Sequence, residues 1–263
     1  MISSWCNGEP ATQLAIDDRS VLFGDSCFST IAIRNGVPEL WPRHRERLQL
    51  TVQRLRFPSP DWPALEREVA AACAGVERGI LRVTLTRGRG GRGYGLPTHA
   101  QTQRLLLRRE WPTDIESRAH AGIAVRWCET RLSNQPLLAG LKHGNRLEQV
   151  LARAEWQDAQ IAEGLMCDDR GAVVEGTSSN LFFRTADGRW CTPSLQRCGV
   201  AGVMRAELLA QCEQHGLPVE IGDFPPDALL AATEVFLCNA VIGIWPVIAL
   251  AAQQWPIGPA TRQ

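Results

Sequence analysis

Leu138-Ala139-Gly140-Leu141-Lys142-His143-Gly144-Asn145-Arg146-Leu147-Glu148-Gln149 sets one lysine between an apolar run and the start of an amphipathic helix. An amine held among apolar neighbours loses hydration, so its pKa falls and it becomes nucleophilic toward an aldehyde. That is the requirement for a Schiff-base lysine. The same pattern suits a surface lysine snorkelling from a helix end, so the choice depends on the rest of the chain. Downstream, Asn145 is placed to cap the helix, with Glu148 reaching back in a capping box. Leu147, Val150, Leu151 and Ala154 then form an apolar stripe at helical spacing.

Working outward, the 263 residues fit one large domain or two smaller ones and are enough to bury a substantial core. The chain is 44% hydrophobic and 21% charged, an ordinary globular balance, and its formal net charge is zero. Neutrality removes the bulk electrostatic argument for nucleic acid or an anionic membrane. Nine cysteines are scattered with no C-x-x-C pair, which argues against structural zinc or any metal site and for a reducing cytoplasm. Cys27, Cys167 and Cys238 lie in apolar runs and read as buried small hydrophobes. Met1 to Pro10 lacks the basic-then-apolar order of a signal peptide. Val235 to Ala252 carries no charge, but Asn239, Gly243 and Pro246 interrupt it, and two buried strands joined by a turn are expected rather than a membrane span.

Asn7-Gly8 and Asn35-Gly36 predict hairpin turns. Strands are expected at Cys27–Arg34, Ile80–Thr86 and Gln103–Arg109, and helices at Arg43–Leu55 and Trp62–Ala74, the latter capped by Asp61. Arg87 to Gly95 is so rich in glycine that a flexible loop is expected. Beyond Pro112, strands are expected at Ile123–Cys128, Gly164–Asp168, Ala172–Glu175 and Asn180–Arg184, and a helix at Val203–His215 closed by Gly216. The pattern is α+β, with an α/β domain over residues 1–110, a linker over 111–121, and a second α/β domain over 122–263 carrying Lys142.

Two further segments bear on chemistry. Glu175-Gly176-Thr177-Ser178-Ser179-Asn180 ends a strand on a carboxylate and turns into the next strand. The carboxylate suits either a turn cap or a partner for a protonated ring nitrogen. The second role is what a pyridoxal phosphate (PLP) ring needs to act as an electron sink. Gly199-Val200-Ala201-Gly202-Val203-Met204-Arg205 opens a helix after glycines, and its N–H groups suit a phosphate. Arg47, on the early helix, either adds charge to that phosphate or is a solvated helix-face residue.

Together these segments resemble the fold-type IV PLP enzymes, which include branched-chain and D-amino-acid aminotransferases and the aminodeoxychorismate lyases. The motifs are Lys142 in Gly-Leu-Lys-His-Gly-Asn-Arg-Leu, Glu175 in Glu-Gly-Thr-Ser-Ser-Asn, the glycine loop from Gly199, and His44-Arg45-Glu46-Arg47-Leu48. Asp18-Arg19, Phe23-Gly24-Asp25-Ser26-Cys27-Phe28-Ser29-Thr30, Gly90-Gly91-Arg92-Gly93-Tyr94 and Cys238-Asn239-Ala240 are most similar to the lyases. The resemblance implies PLP as cofactor, Lys142 as its Schiff-base and proton-transfer residue, and Glu175 on the pyridine nitrogen. It implies that Arg47 and the backbone from Val200 through Ala201 and Gly202 to Val203 hold the phosphate, with Ser179 and Asn180 also at the cofactor. Arg92, on a loop that could close over the site, and the Asn239-Ala240 turn are candidates for substrate carboxylates. Tyr94 either lines the pocket or packs, and Thr30 either relays a proton or is a sheet residue. The implied reaction turns 4-amino-4-deoxychorismate into 4-aminobenzoate and pyruvate for folate synthesis, in a homodimer. An aminotransferase would need the same lysine and glutamate, and a non-catalytic PLP-binding or partner-binding protein is the further alternative.

Overall fold

The computed structural model describes residues 3–261, so the outermost residues of the two expected domains, 1–2 and 262–263, lie outside the described residues. Two compact units emerge. One runs to Pro112 and takes back Leu141–Asn145, while the other holds Thr113–Gly140 and the chain from Arg146 onward. This division differs from the expected boundaries in two places. The lysine segment groups with the first unit because its backbone pairs there. The expected linker contains a helix whose tryptophan contact ties it to the second unit.

The first unit contains β1 (Ser3–Cys6), β2 (Glu9–Pro10), α1 (Arg19–Phe23), β3 (Ser26–Arg34), β4 (Val37–Pro38), α2 (Trp41–Arg54), α3 (Trp62–Cys73), β5 (Arg78–Thr86) and β6 (Gln103–Glu110). The strands form one sheet ordered β2-β1-β6-β5-β3-β4. Asn7 and Asn35 adopt left-handed φ of 51°, with Gly8 and Gly36 following at 89° and 79°, so both Asn-Gly pairs make the expected tight turns. Asp61 caps α3 by accepting from Ala64 N at 2.9 Å. Ile31, Ile33, Leu81, Val83, Leu85 and Leu106 alternate along their strands and bury one face against Leu48, Val52, Leu65 and Val69 of the two helices. That burial is the main stabilising term for this unit.

The second unit contains α4 (Ile115–Ala121), β7 (Ile123–Trp127), α5 (Leu147–Ala154), β8 (Ile161–Cys167), β9 (Val173–Gly176), β10 (Asn180–Arg184), β11 (Trp190–Pro193), α6 (Val203–Gln214), β12 (Val219–Gly222), α7 (Pro226–Leu230), β13 (Glu234–Asn239), β14 (Gly243–Leu250) and β15 (Gln253–Gln254). Strand order is β12-β11-β10-β13-β14-β7-β8-β9, and β9 also meets β10 through Glu175 and Asn180. The sheet therefore curls until β9 closes on β10, a barrel-like ring. Helix α4 is fixed by Trp245, whose Nε1 donates to Ile115 O at 3.1 Å. The uncharged run from Val235 resolves into β13 and β14, and no helix among the described residues is long and apolar enough to cross a membrane.

Two local expectations are corrected at α5. Its N-cap is Arg146 without a side-chain cap. Glu148 instead accepts from Ser133 N at 2.9 Å, so no capping box forms. The helix buries Gln149 and Ala152, whereas Leu147, Val150 and Leu151 are 75%, 60% and 61% exposed, and Ala154 is exposed too. The amphipathic pattern is real, but its apolar stripe does not face the core of its own unit.

Candidate active site

Lys142 lies outside any helix or strand. Its carbonyl accepts from Phe28 N at 2.9 Å, His143 bridges to Cys27, and Gly144 N donates to Ser26 O at 2.7 Å. The segment thus runs beside β3 through a single bridge where β4, which pairs only Ile33 and Arg34, does not reach. Gly144 permits the approach, since a Cβ there would strike Ser26 Oγ and lie 2.9 Å from Gly24 O. This pairing fixes the side chain: Lys142 Nζ stands 4.8 Å from the Phe28 ring centroid. Arg82 stacks on the same ring at 3.7 Å. Thr30, two residues on and so on the same face as Phe28, is half-buried and lies opposite Arg82 in the sheet. Sequence reasoning left Thr30 between a proton relay and a sheet residue, and did not single out Arg82.

Ser29 points to the other face of β3, toward α2. Its Oγ lies 2.7 Å from His44 Nδ1 and accepts from Arg47 Nη2 at 2.5 Å. Burial, then the charges of Arg47 and Lys142, hold His44 neutral by pushing its pKa down to about 3. Burial also lowers Arg47 to about 10. With Arg47 donating to Ser29, the arrangement that leaves fewest polar groups stranded has Ser29 Oγ–H donating to His44 Nδ1. Arg47 is thus oriented by a serine and a neutral histidine. His44-x-x-Arg47 on one helix face was the available signal for the histidine. Nothing local pointed to Ser29.

In the second unit, Glu175 is buried where β9 meets β10. Its Oε2 accepts from Asn180 Nδ2 at 3.1 Å and Val200 N at 2.9 Å, and the same Asn180 Nδ2 reaches Val200 O at 2.9 Å. Ala201 N donates to Gly140 O at 3.0 Å. The amides of Val200 and Ala201 therefore build the loop, which leaves Gly202 and Val203, at the start of α6, to meet an anion. Gly202 is the N-cap of α6 and no side chain caps that end. A Cβ on Gly202 would strike Asn180 Oδ1. Asn180 is thus a brace between Glu175 and the glycine loop. Arg146, lowered by burial, feels the opposing charge of Glu175 and then Glu148.

Ser179 donates to Glu163 Oε2 at 3.1 Å. Glu163, which sequence reasoning did not single out, gathers the turn after Glu175. It also accepts from Gly164 N, from the N–H and hydroxyl of Thr177, and from the N–H and hydroxyl of Ser178. Asn239 Nδ2 donates to Ser178 O at 3.1 Å while its Oδ1 accepts from Val241 and Ile242 N, each at 2.9 Å. Asn239 thus shapes the turn that holds Ala240 half-buried. Arg92 is exposed and Tyr94 is 86% exposed, its ring 5.3 Å from that of Phe23. Among the described residues no group of three or more His, Cys, Asp or Glu side chains is arranged to hold a metal ion.

An antiparallel sheet bridged by the lysine segment, and a ring-like sheet closed on a buried glutamate, define a class of fold. The sequence pattern of the amino-transferase class IV family matches residues 26–250, and the chain belongs to that family. Within it, the chain is 38% identical to an aminodeoxychorismate lyase from Vibrio harveyi, over 98% of this chain and 97% of the relative. The crystal structure of 4-amino-4-deoxychorismate lyase from Pseudomonas aeruginosa superimposes with a TM-score of 0.94 at 48% identity, covering 98% of this chain and 95% of that one. A D-alanine aminotransferase from Bacillus licheniformis is 26% identical over 90% of this chain and 83% of its own length.

Proposed function

We propose that this protein is a PLP-dependent lyase that converts 4-amino-4-deoxychorismate to 4-aminobenzoate and pyruvate. The observation that carries the reading is near-full-length similarity to two lyases, at 38% and 48% identity, well above the 26% to the aminotransferase. The residues fit the cofactor. Glu175 is a buried carboxylate with one oxygen fixed by two donors. The start of α6 has no side-chain cap and is pressed close by a glycine. Arg47 is a half-buried, oriented cation.

In this reading Lys142 anchors the cofactor, Glu175 faces its ring nitrogen, and Arg47 with Gly202 and Val203 holds its phosphate. PLP, when bound, supplies the electron sink for charge left on the substrate's amine-bearing carbon. The Lys142 amine would act as the general base that takes the proton from that carbon. The ring aromatises as its C–O bond to the enolpyruvyl group breaks, and Lys142 returns a proton to the departing group, which becomes pyruvate. Atoms balance without water. Thr30, on the face of β3 that carries Phe28, would assist proton transfer. Arg92 and the Asn239-Ala240 turn take the substrate carboxylates. The nine cysteines are all unpaired, which supports a reducing cytoplasmic home, and the exposed apolar face of α5 supports a homodimer.

The test supplies PLP-loaded protein with 4-amino-4-deoxychorismate and quantifies both products, alongside Lys142→Ala. Equimolar catalytic formation of 4-aminobenzoate and pyruvate, lost in the variant, is expected. Transfer of the amino group to a keto acid without 4-aminobenzoate would make the protein an aminotransferase. Borohydride reduction of the loaded protein gives an independent readout. Lysine occurs once in the chain, at Lys142, so a reduced cofactor adduct there blocks cleavage by a lysine-specific protease at its single site.

A further inference from the structure

Arg19 is 3% exposed although it begins a five-residue surface helix. Its Nε donates to Asp25 Oδ2 at 2.9 Å. Its Nη1 faces three carbonyls of the glycine-rich loop: Gly90 O at 3.3 Å, Gly93 O at 3.2 Å and Gly95 O at 3.1 Å. An Nη1 carries two N–H groups, so three carbonyls crowd two donors and share them. The loop can present three carbonyls to one nitrogen because Gly90, Gly91 and Gly93 hold positive φ of 105°, 81° and 58°. A Cβ on Gly91 would lie 2.6 Å from Gly95 O and 3.1 Å from Arg19 Nη1.

The clamp is itself braced. Arg87 grips Asp25 through Nε at 2.7 Å and Nη2 at 3.1 Å, and also donates to Leu55 O and Arg56 O. Asp18 caps α1 through Ser20 N at 2.8 Å and accepts from Thr86 Oγ1 at 2.9 Å. The Arg19 guanidinium lies 4.9 Å from the Phe23 ring centroid, and that ring meets Tyr94. The motif Asp18-Arg19 with Phe23-Gly24-Asp25 thus ends on the segment that carries Arg92 and Tyr94.

The geometry points to Arg19 as a positioning residue. It threads the 90–95 loop from inside, holding the loop's fold so that Arg92 is presented for a substrate carboxylate. The loop expected to be flexible from its glycines is in this account a wrapped loop, whose glycines serve the wrapping. The part concerning Arg92 rests on the lyase reading above. The clamp does not.

The test uses the PLP-loaded protein, Arg19→Lys, Arg92→Ala and their double variant. Lysine keeps a charge for Asp25 but cannot span from Asp25 to three carbonyls. Limited trypsin digestion reads the loop directly by cleavage after Arg89 and Arg92, because native-state proteolysis follows the population of the open form. Loss of a charged donor shared by three acceptors is expected to raise that cleavage about tenfold or more in Arg19→Lys. The KM for 4-amino-4-deoxychorismate should rise about tenfold with kcat within about threefold, and should rise little further when Arg19→Lys is added to Arg92→Ala. Unchanged loop cleavage in Arg19→Lys overturns the clamp. Faster cleavage with an Arg92→Ala variant of normal KM keeps the clamp and removes Arg92 from substrate binding. If Arg19→Lys does not fold, Gly91→Ala replaces it, since it disturbs the carbonyl cluster while leaving the Asp25 pairs intact. Faster cleavage supports the clamp and unchanged cleavage overturns it.

Discussion

Lysine at position 142 is a choice of chemistry, because every other cation among the 28 Lys and Arg side chains is arginine. Arginine satisfies ion pairs and phosphates but stays protonated, so only the amine can be a nucleophile and proton carrier. In the sequence Lys142 stood out by its apolar flanks and family motif, and Glu175 by a strand-turn setting that also suits a turn cap, and their expected roles came from the resemblance. Ser29 and His44 were not legible as a pair, because a serine in a strand and a histidine in a helix become partners only when β3 lies against α2. Their coupling has a pH signature. His44 titrates near 6.5 unfolded and about 3 folded, so between those values the unfolded chain binds the extra proton. Stability from this group is complete above pH 6.5 and drains as pH falls toward 3. Between pH 7 and pH 5 its share of the loss is about 2 kcal/mol. Urea unfolding of wild type and His44→Asn at both pH values should show the variant losing less stability on acidification by about that amount. Equal losses would place the neutral histidine elsewhere.

At the scale of elements, strands and helices were legible wherever side-chain periodicity coincided with burial. β3, α2, α3, β5 and the β13–β14 pair stand within about two residues of their expected ends. The turn from β9 into β10 was legible, but not that its one residue pair closes a ring, because the ring runs through β13, β14, β7 and β8, whose pairings carry no local signature. Glu163 was missed for the same reason. Five of the donors on its carboxylate come from Thr177, Ser178 and Ser179, 14 to 16 residues downstream. A carboxylate offers about four lone-pair sites and no donor, so this polar turn is folded around one negative group. Glu163→Gln swaps an acceptor oxygen for an NH2 that faces hydroxyl and N–H donors. Its expected cost is about 2 kcal/mol in denaturant unfolding, with faster amide exchange at 177–179. A variant as stable and as protected as wild type would show that the turn holds without the charge.

For the whole molecule, the helix after the lysine poses the remaining question. Leu147, Val150 and Leu151 sit at i, i+3 and i+4, so they form one face, and most of that face is in solvent. The sequence correctly showed that α5 has an apolar side. Periodicity identifies such a side without saying whether it meets its own core or another chain, and here the buried positions are Gln149 and Ala152. Leaving three large aliphatic side chains wet forgoes roughly 25 cal/mol for each Å² that could be covered, and a second copy of this chain is the occupant the family reading supplies. A two-fold interface brings the same patch of both copies together, so one substitution acts twice. Leu151→Arg would place a cation in that apolar face on each copy. The expected outcome in sedimentation velocity is a dimer for wild type and a monomer for Leu151→Arg. The wild-type melting temperature should rise with protein concentration, and that dependence should vanish in the variant. A wild type that sediments as a monomer at micromolar concentration, with a melting temperature independent of concentration, would rule out the dimer. The open face of α5 would then lack the partner argued for it.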